Sequence, residues 1–361
     1  MSYRAEQPFS LPLLPPTLDY SSLQGLLLHA RTELAELKGS ARALPNPMLL
    51  MSPAIMREAV ASSEIENIHT TVAKALQMQL FPESQQREPD KEVLRYREAM
   101  LWGFHSLSSI PISTRLIKGI QQQLLPSSPG YRSTQNQIIN SSTGEVLYTP
   151  PIAASIDKLM GNLENYIHSV EEAIDPLIRA AITHYQFEAI HPFGDGNGRT
   201  GRILMILQLI QDDILQHPIL YISGFINKNR QLYYQRLREV STNGAWMDYL
   251  QFMLQAFREQ ARATKETLFS VLNLYDQTKN KLKTALPKTY SADLIDALFS
   301  YPVITGTTLS GELQIHRRTA ARYLETLKDH GFVTDQVVGR HHLYINQPLI
   351  KLFSADFPED D

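Results

Sequence analysis

Cysteine is absent from the 361 residues, which excludes disulfides, thiolate metal sites and thiol catalysis together. Charge of one sign is also lacking: 34 Lys and Arg stand against 37 Asp and Glu, a formal net of −3. Global attraction to nucleic acid or to an anionic membrane is therefore excluded, and any such contact must come from a local patch. No apolar run approaches the roughly 20 residues that span a bilayer. The N-terminal stretch, from Met1 through the proline-rich Pro12 to Pro16, lacks a basic region followed by an uninterrupted apolar segment. A soluble, cytoplasmic chain with no membrane partner is the expectation. What is present is 43% hydrophobic and 9% aromatic residues, enough for at least one sizeable core and for two or three domains.

Apolar residues recur at spacings of three and four, so nearly every patterned segment predicts helix. Ser52-Pro53 predicts an N-cap and first-turn proline, opening a helix from about 53 to 80. Asp175-Pro176 repeats the signal and opens an amphipathic helix running to Ala189. One stretch departs from the helical period: Gln135 to Ile139 and Glu145 to Tyr148 flank the polar connector Asn140 to Gly144, as a hairpin would, and Thr149-Pro150-Pro151 ends it. A further helical region runs from about Trp246 to Leu286, and Pro287 to Tyr290 reads as a linker. Beyond it the pattern predicts three short helices, Ala292 to Ser300, one capped by Thr307 or Thr308, and His316 to His330. Two strands then turn around Gly339, which is the outline of a winged helix.

The segment richest in chemistry is His191-Pro-Phe-Gly-Asp-Gly-Asn-Gly-Arg-Thr-Gly-Arg202, followed by an apolar helix from Ile203. Glycines feeding a helix start present backbone N–H groups at the positive end of a helix dipole, a site for phosphate. Asp195 offers the single carboxylate that Mg²⁺ accepts alongside phosphate oxygens. Arg199 and Arg202, three apart, can clamp phosphate from one helical face. His191 has the intrinsic pKa to take a proton from a hydroxyl. Each residue alone has an ordinary structural reading; their crowding into one short segment points to a phosphate-handling site. It is neither a Walker A loop, since no Lys-Ser/Thr follows the glycines, nor a dinucleotide fingerprint, since no strand precedes them.

This segment resembles the signature of the Fic (filamentation induced by cAMP) family, His-x-Phe-x-Asp/Glu-Gly-Asn-Gly-Arg-x-x-Arg, at every fixed position. Tyr131-Arg132, the hairpin, His184 to Glu188, and Asn229-Arg230 leading into Tyr233-Tyr234 extend the resemblance to about residues 90–260. It implies an all-α fold, a helical bundle with one β-hairpin flap, here with the small C-terminal α+β winged-helix domain. It also implies a protein adenylyltransferase that moves AMP from Mg-ATP to a Ser, Thr or Tyr hydroxyl of a protein. On that reading His191 is the general base and Phe193 anchors the loop. Asp195 binds Mg²⁺. Gly196, Asn197, Gly198, Arg199, Thr200, Gly201 and Arg202 handle phosphate, with Arg202 on the γ-phosphate. Tyr233 lies near adenine, and Ile138 and Ile139 of the flap dock the target.

Upstream, Ser62-Ser-Glu-Ile-Glu66-Asn67 resembles the family's inhibitory pattern, Ser/Thr-x-x-x-Glu-Gly/Asn. Ser62 and Glu66 share a helix face, so the hydroxyl is expected to brace the carboxylate. Glu66 paired with Arg202 would take the place of a γ-phosphate. The domain division expected is 1–88 with the inhibitory helix, 89–286 with the flap at 134–149, and 287–361. In the last, His316, Arg317, Arg318 and Arg322 with Arg340, His341 and His342 weigh protein docking and weak DNA binding equally. ATP, an unidentified target protein, for which the chain itself is one candidate, and a homodimer complete the expected partners. Against the transferase stand a nucleotide-sensing DNA-binding regulator, and relatives that remove AMP or transfer another phosphate-containing group.

Overall fold

Helical periodicity dominates the structure as it does the sequence. The structure, a computed structural model, describes residues 3–42, 48–128, 130–140, 143–169 and 174–354. Ser141 and Ser142 of the hairpin connector, and the ends of the first and last expected domains, lie outside the described residues. Among the described residues are fifteen α-helices and five short strands. The helices α1 (Gln24–Ala41), α2 (Met48–Ile65), α3 (Val72–Met78), α4 (Glu88–Ser106) and α5 (Thr114–Leu124) come first. The hairpin β1 (Ile138–Ile139) and β2 (Val146–Tyr148) follows. Then come α6 (Ile156–Ile167), α7 (Pro176–Ile190), α8 (Asn197–Gln211), α9 (Ile222–Lys228), α10 (Arg230–Asn243) and the long α11 (Trp246–Ala285). The C-terminal part holds α12 (Ala292–Ser300), β3 (Val303–Ile304), α13 (Gly306–Glu312), α14 (Arg317–Asp329), β4 (Thr334–Val338), β5 (His341–Ile345) and α15 (Gln347–Ser354).

Helices α7 and α8 are buried along most of their length and form the centre of the bundle. Their buried residues include polar ones such as Thr183, His184 and Gln186 as well as apolar ones, and α4, α5, α6 and α11 pack around them. Asp175 caps α7 as its sequence predicts: its carboxylate accepts from Leu177 N at 2.8 Å, with Pro176 at the first helical position. On the outside α1 lies along α11, burying Leu27, Ala30, Leu34 and Leu37.

The segment expected to be inhibitory is built differently from its expectation. The helix starts at Met48, so Pro53 lies inside α2 rather than at its first turn, and it removes one ladder bond there. The helix then stops at Ile65 because Asn67 turns left-handed at φ 62°. Ser63 O collects the N–H groups of Glu66 and Ile68 at 2.9 and 3.0 Å, and Thr71 caps the separate α3. Glu66 therefore sits just past a helix end, not in the middle of a helix reaching residue 80. The other side of α2 is covered by α12 and α15 of the C-terminal part. Gln77 Nε2 donates to Gln336 Oε1 at 3.1 Å, and the Phe81 ring meets the His341 ring edge-on with centroids 4.8 Å apart.

In the C-terminal sheet β5 runs antiparallel between β3 and β4. The three helices fall where the sequence puts them, but Thr305, not Thr307 or Thr308, caps α13 by accepting from Thr308 N at 3.1 Å. Strand β3 and helix α15 were not anticipated, since two residues and eight are too short for a periodicity to declare itself. Two of the basic hairpin residues are engaged within the chain: His341 on Phe81, and His342 with Asp335 at 2.7 Å. The β1–β2 hairpin forms as predicted, with Ile138 opposite Tyr148 and Ile139 opposite Val146. An N-terminal strap holds its β2 side: Phe9 N donates to Thr149 O at 2.9 Å and the Tyr3 hydroxyl to Leu147 O at 2.7 Å.

The α1–α11 seam carries a direct test. Leu34 is fully buried, and Leu34→Ala should cost about 3 kcal/mol of transfer and cavity energy. Urea denaturation should show a lower midpoint at an unchanged slope; an unaltered midpoint would mean the seam contributes nothing to stability.

Candidate active site

The His191–Arg202 segment is a tight loop between two buried helices, and much of its chemistry is spent on holding its own shape. His191 ends α7 in the left-handed region at φ 49°, which throws the chain out of the helix. Asn197 closes the loop from the other end: its Oδ1 accepts from Phe193 N and its Nδ2 donates to Phe193 O, both at 2.9 Å. Phe193 is fully buried against Tyr131 and Phe187.

Arg132 ties the loop to the hairpin. Its backbone N–H donates to Pro192 O at 2.9 Å, and its guanidinium donates to His191 O at 2.9 Å, Thr134 O at 3.1 Å and Pro151 O at 2.5 Å. One buried cation thus satisfies carbonyls at both roots of the hairpin and at the loop, and fixes their relative position. No local pattern around Arg132 in the sequence signals this task.

Arg202 is the largest fully buried side chain among the described residues. Its Nε donates to Ser62 Oγ at 2.7 Å, and its Nη2 donates to Ser62 O and to Glu66 Oε1, each at 2.8 Å. Ser62 therefore grips Arg202 itself and does not brace the Glu66 carboxylate as expected; Ser62 of α2 and Glu66 just past its end converge on one guanidinium. The carboxylate rests over Gly198, where a Cβ would lie 2.3 Å from Glu66 Oε1 and 2.9 Å from Arg202 Nη1. Only a bare Cα leaves that room. One turn back on α2, Glu58 is buried and accepts from Ser223 N at 3.0 Å, from the Ser223 hydroxyl and from Tyr96 OH at 3.2 Å.

Glu66, Gly198 and Arg202 line a cavity of about 810 Å³, a size suited to a small-molecule ligand. Its walls bring together Glu66 and Asn67, the hairpin's Ile138 and Ile139, Glu188 and His191 of α7, and Gly198 and Arg202 of α8; α10 supplies the far side. Burial pushes His191 down to about 4, against the pull of the Glu188 carbonyl, so its ring is neutral near pH 7. Burial pushes Glu188 up to about 8, opposed by Arg202 and reinforced by Glu66. Burial likewise raises Glu58 to about 7 in spite of its hydrogen bonds. Burial disfavours the charge on Arg202, yet Glu66 and the groups around it raise its pKa overall.

Other predicted residues are placed elsewhere. Arg199 does not share the task of Arg202: its Nη1 donates to Glu92 Oε2 of α4 at 2.5 Å, and it is outside the cavity walls. Three residues turn a helix by about 300°, which leaves the two guanidiniums offset by about 60°, and α4 captures the first. Asp195 is exposed on the loop's rim, its Oδ1 accepting from Gly196 N at 2.5 Å. Thr200 is buried in the first turn of α8, and Gly201 packs against α7. The Tyr233 hydroxyl pairs with His184 Nε2 at 2.7 Å, so only part of its ring faces the cavity, whereas Tyr234 is 44% exposed. Glu188 carried no role in the sequence reading, because a lone glutamate on an amphipathic helix gives no signal.

Comparison with known proteins gives three successive matches: the Fic/DOC family N-terminal model over residues 25–105, the Fic/DOC family model over 111–209, and the C-terminal domain of SoFic-like protein adenylyltransferases over 274–349. A probable protein adenylyltransferase of Aquifex aeolicus is 33% identical over 110 residues, 30% of each chain. A protein adenylyltransferase Fic of Nematostella vectensis is 30% identical over 148 residues, 39% of this chain and 29% of its own. The chain thus spans about 30% of the length of these relatives. In fold, a Fic family protein of Desulfovibrio desulfuricans superposes with TM-score 0.57 at 19% identity, covering 92% of this chain and 98% of that one. Residues 134–508 of Fic-1 from C. elegans superpose with TM-score 0.53 at 18% identity, over 70% and 74%. With the motif complete, the bundle shared and matches running from its N-terminal helices to its C-terminal segment, the chain belongs to the Fic/DOC family.

Proposed function

We propose that the chain transfers AMP from Mg-ATP to a protein hydroxyl and that Glu66 restrains this activity. The observation that carries the reading is the buried Arg202 guanidinium, paired with Glu66 at 2.8 Å on the wall of the cavity that also contains His191. A guanidinium in such a place needs an anion. A carboxylate supplies it at rest, and a terminal phosphate has the charge and acceptor geometry to replace it. The start of α8, with Gly198 bare beneath the carboxylate, adds first-turn N–H groups that favour the same anions.

In the reaction the acceptor oxygen attacks the α-phosphorus while its proton passes to the His191 imidazole. The bond to the β-phosphate oxygen breaks and diphosphate leaves. Catalysis rests on positioning and charge neutralisation. Asp195, a lone exposed carboxylate at the loop rim, fits Mg²⁺ of the kind held by one carboxylate and substrate phosphates; the ion would supply further neutralisation of the phosphate chain. Ile138 and the exposed Ile139 on the hairpin would align the acceptor segment by strand-like pairing. Residues 287–361 we read as a winged-helix docking module of a cytoplasmic enzyme. The engaged wing histidines leave Arg340 of the wing and α14, with Arg317, Arg318 and Arg322, to carry any weak DNA contact.

His191→Ala should lower AMP incorporation by about a hundredfold or more while nucleotide binding persists. Labelling from radioactive ATP at the wild-type rate would reject the assigned base. The base form is the deprotonated ring, and a pKa depressed to about 4 keeps it deprotonated as pH falls. Consequently kcat/KM should stay nearly level from pH 7.5 to about 5.5, where an unperturbed histidine would lose roughly tenfold. A tenfold fall over that interval contradicts the depressed value. Asp195→Ala should abolish the Mg²⁺ dependence along with turnover, and surviving Mg²⁺-dependent turnover would exclude it as the ligand.

Glu66→Gly should raise the initial rate of AMP incorporation by about tenfold or more, since ~1.4 kcal/mol of removed competition is already a factor of ten. Glu64→Gly is the control: its carboxylate accepts from Asn227 Nδ2 at 2.8 Å, away from Arg202. Equal activation of both variants, or none of either, contradicts the assignment of Glu66.

A further inference from the structure

Arg202 is approached by more than one carboxyl. Besides Glu66, Glu188 of α7 turns into the same cavity. Its Oε1 is closed off from solvent and has no hydrogen-bond partner. It lies against the bare Cα of Gly201, where a Cβ would come within 2.4 Å. A carboxyl group so placed is costly unless it is neutral or meets a ligand, and nothing in the transfer step uses it.

We infer that Glu188 binds the nucleotide, acting as a carboxylic acid that donates a hydrogen bond to an oxygen of the phosphate chain beside Arg202. The inference rests on the nucleotidyl-transfer reading of the cavity. The chemistry follows from what faces the group. On its own helix are His184 and His191, both kept neutral by burial, at about 3 and about 4. From α10 and α11 come the phenols of Tyr233, Tyr234 and Tyr249, all raised above their ordinary range by burial and so uncharged. Charge reaches Glu188 from Arg202 and Glu66, which act in opposite directions. Two carboxyls facing one guanidinium cannot both ionise cheaply, and Glu66 already holds the guanidinium at 2.8 Å.

Exchanging Glu66 for a terminal phosphate keeps an anion at Arg202, so the pressure on Glu188 to remain protonated persists. An ionised Glu188 would repel the phosphate chain; the protonated form offers it a donor. The burial that holds Glu188 at about 8 then sets the pH window: the donor is present below that value and is lost as pH rises through it.

The test is equilibrium binding of the Mg²⁺ complex of α,β-methylene ATP, whose α–β bridge cannot be broken, to the full chain carrying Glu66→Gly. Its Kd should rise between pH 7 and pH 9, by about tenfold per unit once pH exceeds the pKa of Glu188 in the free chain, as expected if only the protonated form binds. Adding Glu188→Gln, which keeps a donor that does not titrate, should leave binding at pH 7 near the parent's and flatten the profile. Adding Glu188→Ala should weaken binding at pH 7 to about the parent's pH 9 value. The same pH dependence in the Gln variant, or an Ala variant that binds like the parent, overturns the inference while leaving the nucleotide reading intact. Absence of binding to Glu66→Gly at every pH overturns both.

Discussion

A guanidinium with almost no exposure must be met by hydrogen-bond acceptors and at least one anion, and Arg202 imposes that demand at the centre of this molecule. The demand organises the surrounding elements. Helix α2 meets it with the Ser62 hydroxyl and carbonyl and, just past its last turn, with the Glu66 carboxylate. Helix α8 meets it by leaving Gly198 bare. Asn67 supports the arrangement at one remove, because its left-handed backbone ends α2 where Glu66 can turn inward. On the opposite side, α12 and α15 pack against α2, so the C-terminal part forms the back wall of the helix that leads to Glu66.

The loop between α7 and α8 shows how much of a dense motif is architecture. Phe193 is core, Asn197 is a clasp on the Phe193 backbone, and Arg199 is tied to α4 through Glu92. Arg132, remote in sequence, holds the loop and both hairpin roots in one frame. What remains facing the cavity is a smaller set: His191, Gly198 and Arg202, with Glu66 and Glu188 opposite. A cation already held by the Ser62 hydroxyl and carbonyl costs little reorganisation when an anion arrives, which is the condition under which electrostatic stabilisation is effective.

The helical class, the hairpin and the Glu66–Arg202 pair were legible in the sequence, each for a definite reason. Periodicity declares helices as long as α7, Pro176 marks its start, and a twelve-residue motif leaves few alternatives. The break between α2 and α3 was not legible, because apolar spacing continues across it and only the conformation of Asn67 interrupts the helix. The division of labour between Arg199 and Arg202 depends on Glu92, 107 residues away, and no local pattern encodes such a partner. The true task of Ser62 was hidden likewise: spacing of four places it near Glu66, but the hydroxyl accepts from Arg202, a contact across 140 residues. Glu188 was invisible until α8 closed over it.

On the proposed function, one guanidinium serves both the resting carboxylate and the nucleotide. A crystal structure of the Glu66→Gly chain with Mg²⁺ and α,β-methylene ATP tests it most directly. The terminal phosphate should lie on Arg202 in the position now held by the Glu66 carboxylate, with the Ser62 contacts retained. A phosphate chain bound away from Arg202, with the guanidinium turned to Glu58 or Glu188 instead, would contradict it.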